Sequence, residues 1–197
     1  MGPEQQPNYA NRGEMKLSIC GYELWKLRVP TGRVIGDCTC QYQNLDLLVI
    51  RLWTNEGHSA WGFGETVSEG VFTTPAPWIR PMPALAEIRR NFELNVWPIL
   101  ENKNPFQLNN CQPRLFPGYS YLAVAIRIAL WDLMAQVANL PLYEILGGGP
   151  EKKKVRAYAS GLDCPLSDEE AEALFRNFMH RGFTAVKVKV GLSLIHI

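Results

Sequence analysis

The chain has almost no excess charge. Its 197 residues hold 20 lysines and arginines against 19 aspartates and glutamates, a formal net charge of +1. That balance sets up no field to gather nucleic acid or an anionic membrane surface, so neither is an expected partner. No apolar run reaches the length of a bilayer span, and the first residues are polar, without the apolar stretch of a signal peptide. Cysteine is scarce too: five scattered residues, an odd number, do not make a disulfide framework. Cys38 and Cys40 are the only close pair, and one intervening residue is not a zinc spacing. A reducing, cytoplasmic setting is the simplest expectation. Internal repeats are not visible either.

What is present is apolar and ordered in blocks. At 47% hydrophobic residues the chain has enough to bury a core, in one or two domains. Residues 1–14 are rich in Pro, Gln, Asn and Gly and read as a disordered leader. Residues 16–29 read as a strand, residues 30–44 as a long loop of the kind that serves as a lid, and residues 45–54 as an apolar strand. Asn55-Glu56-Gly57 is a turn signal, so residues 58–65 should pair back as a hairpin. After Pro75, Pro77, Pro81 and Pro83 the period becomes helical, with Leu85, Ile88, Phe92 and Val96 on one stripe until Pro98. From Tyr119 the longest helix carries Leu122, Ile126, Leu130, Leu133 and Val137, and Pro141 closes it. Three strands followed by helices make an α+β domain over residues 15–150.

The last third changes pattern. Residues 155–160 read as a short strand. Ser167 with Glu170 is a capping box, opening a helix whose stripe is Ala171, Leu174, Phe175 and Phe178. Gly182 sits at the C′ position, and Val186-Lys187-Val188-Lys189-Val190 alternates as a strand. Strand, helix, strand is a βαβ unit, whose two strands should lie parallel and adjacent. The valines then face the helix, and Lys187 and Lys189 face the other way. Inside a closed barrel two such ammonium groups, about 6–7 Å apart along the strand, would repel each other's protons and yield an amine able to act as a general base. The same alternation also fits an edge strand whose lysines face water.

Several segments together carry a resemblance. Trp61-Gly62-Phe63-Gly64-Glu65, Ala129-Leu130-Trp131-Asp132-Leu133, Leu140-Pro141-Leu142-Tyr143, Leu146-Gly147-Gly148 and Lys187-Val188-Lys189 occur in the order seen in one family. From Met15 to Gly191 the chain resembles the mandelate racemase and muconate lactonizing enzyme family of the enolase superfamily. The resemblance implies an α+β capping domain over residues 15–150, followed at residues 151–191 by the first βαβ of a truncated TIM-type α/β barrel. It implies an isomerase or lyase that removes a proton α to a carboxylate, with Lys189 as base and Lys187 tuning it. It further implies magnesium as cofactor, a small hydroxy- or sugar-acid substrate, a lid at residues 30–44, and a homo-oligomer when complete. Gly36-Asp37 within that lid is similar to sugar-acid dehydratases.

The pattern departs from the family at its end. The expected magnesium ligands are carboxylates on later barrel strands, and a full barrel takes roughly 250 residues, so the chain reads as an N-terminal fragment, inactive by itself. Residues 192–197 break the family pattern and read as an artefactual tail. The other class of function is a non-catalytic capping piece that only binds or self-associates. Asp132 should satisfy a neighbouring backbone group or arginine, and Glu65 should serve capping-domain packing or hydrogen bonding. His58 and His180 should be structural or solvated, and Lys152 to Lys154 a solvated linker.

Overall fold

A computed structural model describes residues 16–36, 40–67, 70–72, 81–108, 120–149, 151, 154–162 and 166–188. The expected leader (1–14), the expected tail (192–197) and Lys189 lie outside the described residues.

An antiparallel sheet comes first, made of β1 (Ile19–Gly36), β2 (Cys40–Thr54), β3 (Ser59–Val67) and β4 (Gly70–Phe72). β2 lies at its centre, with Trp25 opposite Val49 on one side and Phe63 opposite Val49 on the other. β4 extends the β3 side by pairing with the start of β2. Residues 55–57 make the expected turn, where Gly57 takes a φ of 88° that a side chain would resist. The long loop expected at residues 30–44 is largely β instead: Pro30 still opposes Asn44, and Ile35 and Gly36 oppose Tyr42 and Gln41. Ile35 and Tyr42 are strand formers, and a register irregularity between Pro30 and Ile35 absorbs the proline that cannot donate to the ladder. The two strands therefore project as an arm.

The helices cover one face of this sheet. α1 (Leu85–Asn95) buries Ile88 and Phe92, and Pro98 falls in the first turn of α2 (Trp97–Leu100), where its missing N–H costs no helical bond. Asn104 Oδ1 caps a 3-10 turn at Pro105–Gln107 by accepting from the Phe106 N–H at 2.9 Å. α3 (Ser120–Ala138) lies across β3 and β2 and buries Leu122, Ala125, Ile126, Ala129 and Leu133 against Leu24, Leu48, Ile50 and Leu52. Each fully buried leucine or isoleucine among them contributes about 1.5–3 kcal/mol. The stretch Tyr121–Ala138 has the length and hydropathy of a membrane span, which corrects the expectation that no such run exists. Its apolar character has a plain cause here, since this helix is the centre of the core. Asn139, at a φ of 51°, ends it with Leu140 N–H reaching Ala135 O at 3.1 Å, and Pro141 precedes the short α4 (Leu142–Ile145).

The βαβ unit has its own small core. β5 (Ala159–Leu162) starts later than the strand expected at residues 155–160, and it pairs in parallel with β6 (Val186–Val188). Between them α5 (Asp168–His180) opens with the expected capping box: Ser167 Oγ accepts from Glu170 N–H at 3.2 Å, and Glu170 Oε2 accepts from Ser167 N–H at 2.8 Å. It closes on Gly182, at a φ of 86°, with Phe183 N–H bonded to Phe178 O at 3.1 Å. Ala159 and Phe178 are buried, with Leu174, Phe175, Phe183 and Val186 packed around them.

Candidate functional site

β6 orients Lys187. Val186 packs into the cluster around Phe178, which fixes the face of β6 turned to α5. Period-two alternation then sends the next side chain, Lys187, to the opposite face, where it is exposed. Lys189, the base that the resemblance implies, lies outside the described residues.

The arm reaches this unit. Arg33, on β1 near the arm's end, donates from Nη2 to the carbonyl of Gly161 at 3.1 Å. Gly161 lies near the carboxyl end of β5, the end at which parallel α/β sheets place their sites. Residues expected to form a lid thus contact that end of β5 as a paired β-arm. No motif marks Arg33 in advance, because a lone arginine in a polar stretch carries no spacing signal.

A charge cluster around one buried carboxylate joins β1 to β2 at the base of the arm. Asp46 on β2 is 1% exposed. Its Oδ1 accepts from Arg28 Nε at 3.1 Å, and its Oδ2 lies 3.4 Å from Lys26 Nζ. Lys26 Nζ also donates to the carbonyls of Met82 at 2.8 Å and Pro83 at 3.1 Å, tying β1 to the entry of α1. A buried carboxylate so engaged is a structural device, since losing a partner would leave it uncompensated. The signal was in the parity: Asp46 shares the inward face of β2 with Leu48, Ile50 and Leu52.

The other singled-out residues sit apart from β6. Asp132 accepts from Gln136 Nε2 at 3.1 Å, rather than meeting the backbone group or arginine expected, and the same amide donates to Ser59 O at 2.9 Å. Glu65 lies exposed on β3 opposite Leu47, which argues against packing, the first of its two expected roles. His180 and Lys154 are exposed, and His58 is half-buried, with its carbonyl accepting from Thr54 N–H at 2.9 Å. Among the described residues no three His, Cys, Asp or Glu side chains gather to hold a metal ion.

Known proteins supply the remaining comparison. Residues 22–147 match the family model described as mandelate racemase / muconate lactonizing enzyme, N-terminal domain. A D-galactonate dehydratase family member of Marinomonas sp. strain MWYL1 is 27% identical over 175 residues, covering 84% of this chain and 38% of its own length. The arabinonate dehydratase of Saccharolobus solfataricus is 43% identical over 70 residues, which cover 32% of this chain and 17% of that protein. Among solved structures, one from Mesorhizobium loti classed with mandelate racemase superposes with a TM-score of 0.71 at 32% identity, covering 88% of this chain and 43% of the other. A racemase of Streptomyces coelicolor A3(2), solved with bound magnesium, shares the fold at a TM-score of 0.69 and 22% identity, covering 88% of this chain and 47% of that one. The chain thus spans less than half the length of these proteins.

Proposed function

The chain belongs to the mandelate racemase / muconate lactonizing enzyme family, whose N-terminal domain its residues 22–147 form, and from that membership we propose that it is the opening portion of a longer enzyme that removes the proton α to a carboxylate. Relatives matched here are named as galactonate-family and arabinonate dehydratases, racemases and epimerases, which supports this coarse chemistry. In this reading the substrate is a small hydroxy- or sugar-acid, and residues 151–191 begin a TIM-type barrel. Lys189 Nζ takes the α-proton while the C–H electron pair moves into the carboxylate as an enediolate. Lys187, two positions earlier on the strand, favours the unprotonated form of its neighbour through like-charge repulsion. Magnesium would supply positive charge for the developing oxyanions. Its ligands would come from later barrel strands. The complete enzyme is further taken to be a cytoplasmic homo-oligomer, a setting supported by the cysteine usage.

The observation that carries the reading is the parallel β5–β6 pair, with Lys187 turned away from α5 and the arm resting on Gly161. The second reading is a capping piece that binds or self-associates without catalysis, and what supports it is the match of residues 22–147 to an N-terminal domain. Proton exchange in D2O separates the two. With magnesium and a panel of α-hydroxy and sugar acids, the 197-residue chain is expected to exchange no α-proton. A longer form continuing past residue 191 is expected to exchange, and Lys189→Ala in it should slow exchange by about 100- to 10,000-fold. Exchange by the 197-residue chain, or undiminished exchange in that variant, would refute the proposal.

A further inference from the structure

Two strands leave their regular ladders where the arm meets β5. On β1 the pairing with β2 runs to Pro30 opposite Asn44 and resumes at Ile35 opposite Tyr42, so residues 31–34 stand against Gln43. Gly32 in this excursion takes a φ of 78°, and Thr31 Oγ1 braces it, 2.5 Å from the carbonyl oxygen of Arg33 and 3.0 Å from that of Gln43. On β5, Ala159 opposes Val186 and Leu162 opposes Val188, so Ser160 and Gly161 together stand where β6 has Lys187. Bulges are unusual in parallel pairs, and they re-aim the groups beside them. Gly161 holds a φ of 131°, a conformation that side chains rarely adopt. Arg33 Nη2 donates to the Gly161 carbonyl at 3.1 Å, which joins the excursion to the bulge.

We infer that Arg33 is a positioning residue: by holding the Gly161 carbonyl it fixes the bulge opposite Lys187, and with it the end of the strand pair on which that lysine stands. The leverage is large because the βαβ core is small. Among the described residues that core buries only Ala159 and Phe178, so one added bond is a sizeable share of what orders the unit. A guanidinium donating to a carbonyl is charge-assisted, roughly twice as strong as a neutral pair. The bulge is also the place where such a bond matters most, since its extra residue is not fixed by the ladder. A brace must itself be anchored, and the arm is. Buried Asp46 meets Arg28 at 3.1 Å and Lys26 at 3.4 Å, and Lys26 reaches the carbonyls of Met82 and Pro83. Order therefore passes from the large core, through the arm, to the neighbour of Lys187. The bond belongs to the fold; its consequence for catalysis rests on the lysine chemistry proposed above.

Hydrogen–deuterium exchange of backbone amides in the 197-residue chain tests the brace. Arg33→Ala should speed exchange of β5 and β6 amides by at least about tenfold and leave α3, and β2 beyond Asp46, unchanged. A general loss of stability would speed them all. Arg33→Lys, which keeps a cationic donor, should recover part of the protection. Gly161→Ala should break the same bond: its methyl meets nothing nearer than Phe178 Cζ at 3.8 Å, yet the φ of 131° strains it and turns the carbonyl. Combined with Arg33→Ala it should add little, because both variants remove one interaction. In a longer form that exchanges α-protons, Arg33→Ala should lower kcat about tenfold with KM within about twofold, since the bond orders a strand without touching substrate. A raised KM at unchanged kcat would make Arg33 a substrate contact and overturn the inference. Unchanged β5–β6 amides in Arg33→Ala, additive effects in the double variant, or no recovery with lysine would overturn it as well. Amide exchange needs no substrate, so failure of the brace leaves the proton chemistry standing, and an absence of α-proton exchange leaves the brace decided by the amides.

Discussion

Gly62 and Gly64 stand at alternate positions of β3 on the side facing α3, where an added methyl would run into the carbonyl oxygens of Ala125 and Tyr121. Their φ angles are not the reason for glycine; the distance between two backbones is. A methyl at either position must push strand and helix apart, opening the packing of Leu122, Ile126 and Leu133 on the sheet. Gly62→Ala is therefore expected to destabilise the folded chain by about 1–3 kcal/mol, read as a lower urea midpoint at unchanged slope. A midpoint equal to that of the parent chain would show that the two elements can separate freely. The flanking residues of the same motif have the opposite fate, with Trp61 and Phe63 exposed on the outer face. Alternation places small residues inward and aromatics outward on this strand, an inversion of the usual pattern that only the helix–sheet contact explains.

At the scale of elements, α5 is the piece whose ends are written most plainly. Ser167 and Glu170 close its first turn, and Asp168, Glu169 and Glu170 place negative charge where the helix dipole favours it. The Glu169 carboxyl is held below its ordinary value of 4.5, first by its own backbone N–H and then by the Ser167 hydroxyl. A lowered folded value means stability that is present above the ordinary carboxylate range and is lost as pH falls through the folded value. Thermal melts from pH 7 down to pH 3 should therefore show an acid-side loss that Glu169→Gln reduces, and an unchanged pH profile in that variant would rule out the assignment. Ser167→Ala should cost about 1 kcal/mol at neutral pH. These local devices were legible because capping box, helical stripe and C′ glycine all act within one turn of the chain. The arm at residues 30–44 was not, since pairing between Ile35 and Tyr42 is a cross-strand event that loop-like composition conceals.

The molecule as a whole has two cores of unequal weight. The larger joins sheet, α1 and α3 through many fully buried aliphatic and aromatic side chains, whereas the smaller, among the described residues, buries only Ala159 and Phe178. So small a core leaves the unit marginal by itself, because little of its surface is removed from water. Hydrogen exchange is expected to divide accordingly: amides of β2 and α3 should persist to global unfolding, while those of β5 and β6 should open at much lower free energy. Equal protection of both units would mean that contacts such as Arg33 to Gly161 couple them more strongly than their cores suggest.

What the sequence determined by itself was every feature with a short period: the helix and strand faces, the hairpin turn, the caps and the alternation that sets Val186 and Lys187 on opposite sides of β6. The family, too, was visible in several motifs in their proper order, and residues 22–147 bear it out. Only the tertiary structure decided that the expected lid is a paired β-arm touching Gly161, that buried Asp46 meets Lys26 and Arg28, and that Leu27, Trp61 and Phe63 stay exposed on the sheet. The physical reason is range. Backbone periodicity is settled among neighbours a few residues apart, while contacts such as Arg33 with Gly161, 128 positions apart, exist only once the chain has closed on itself.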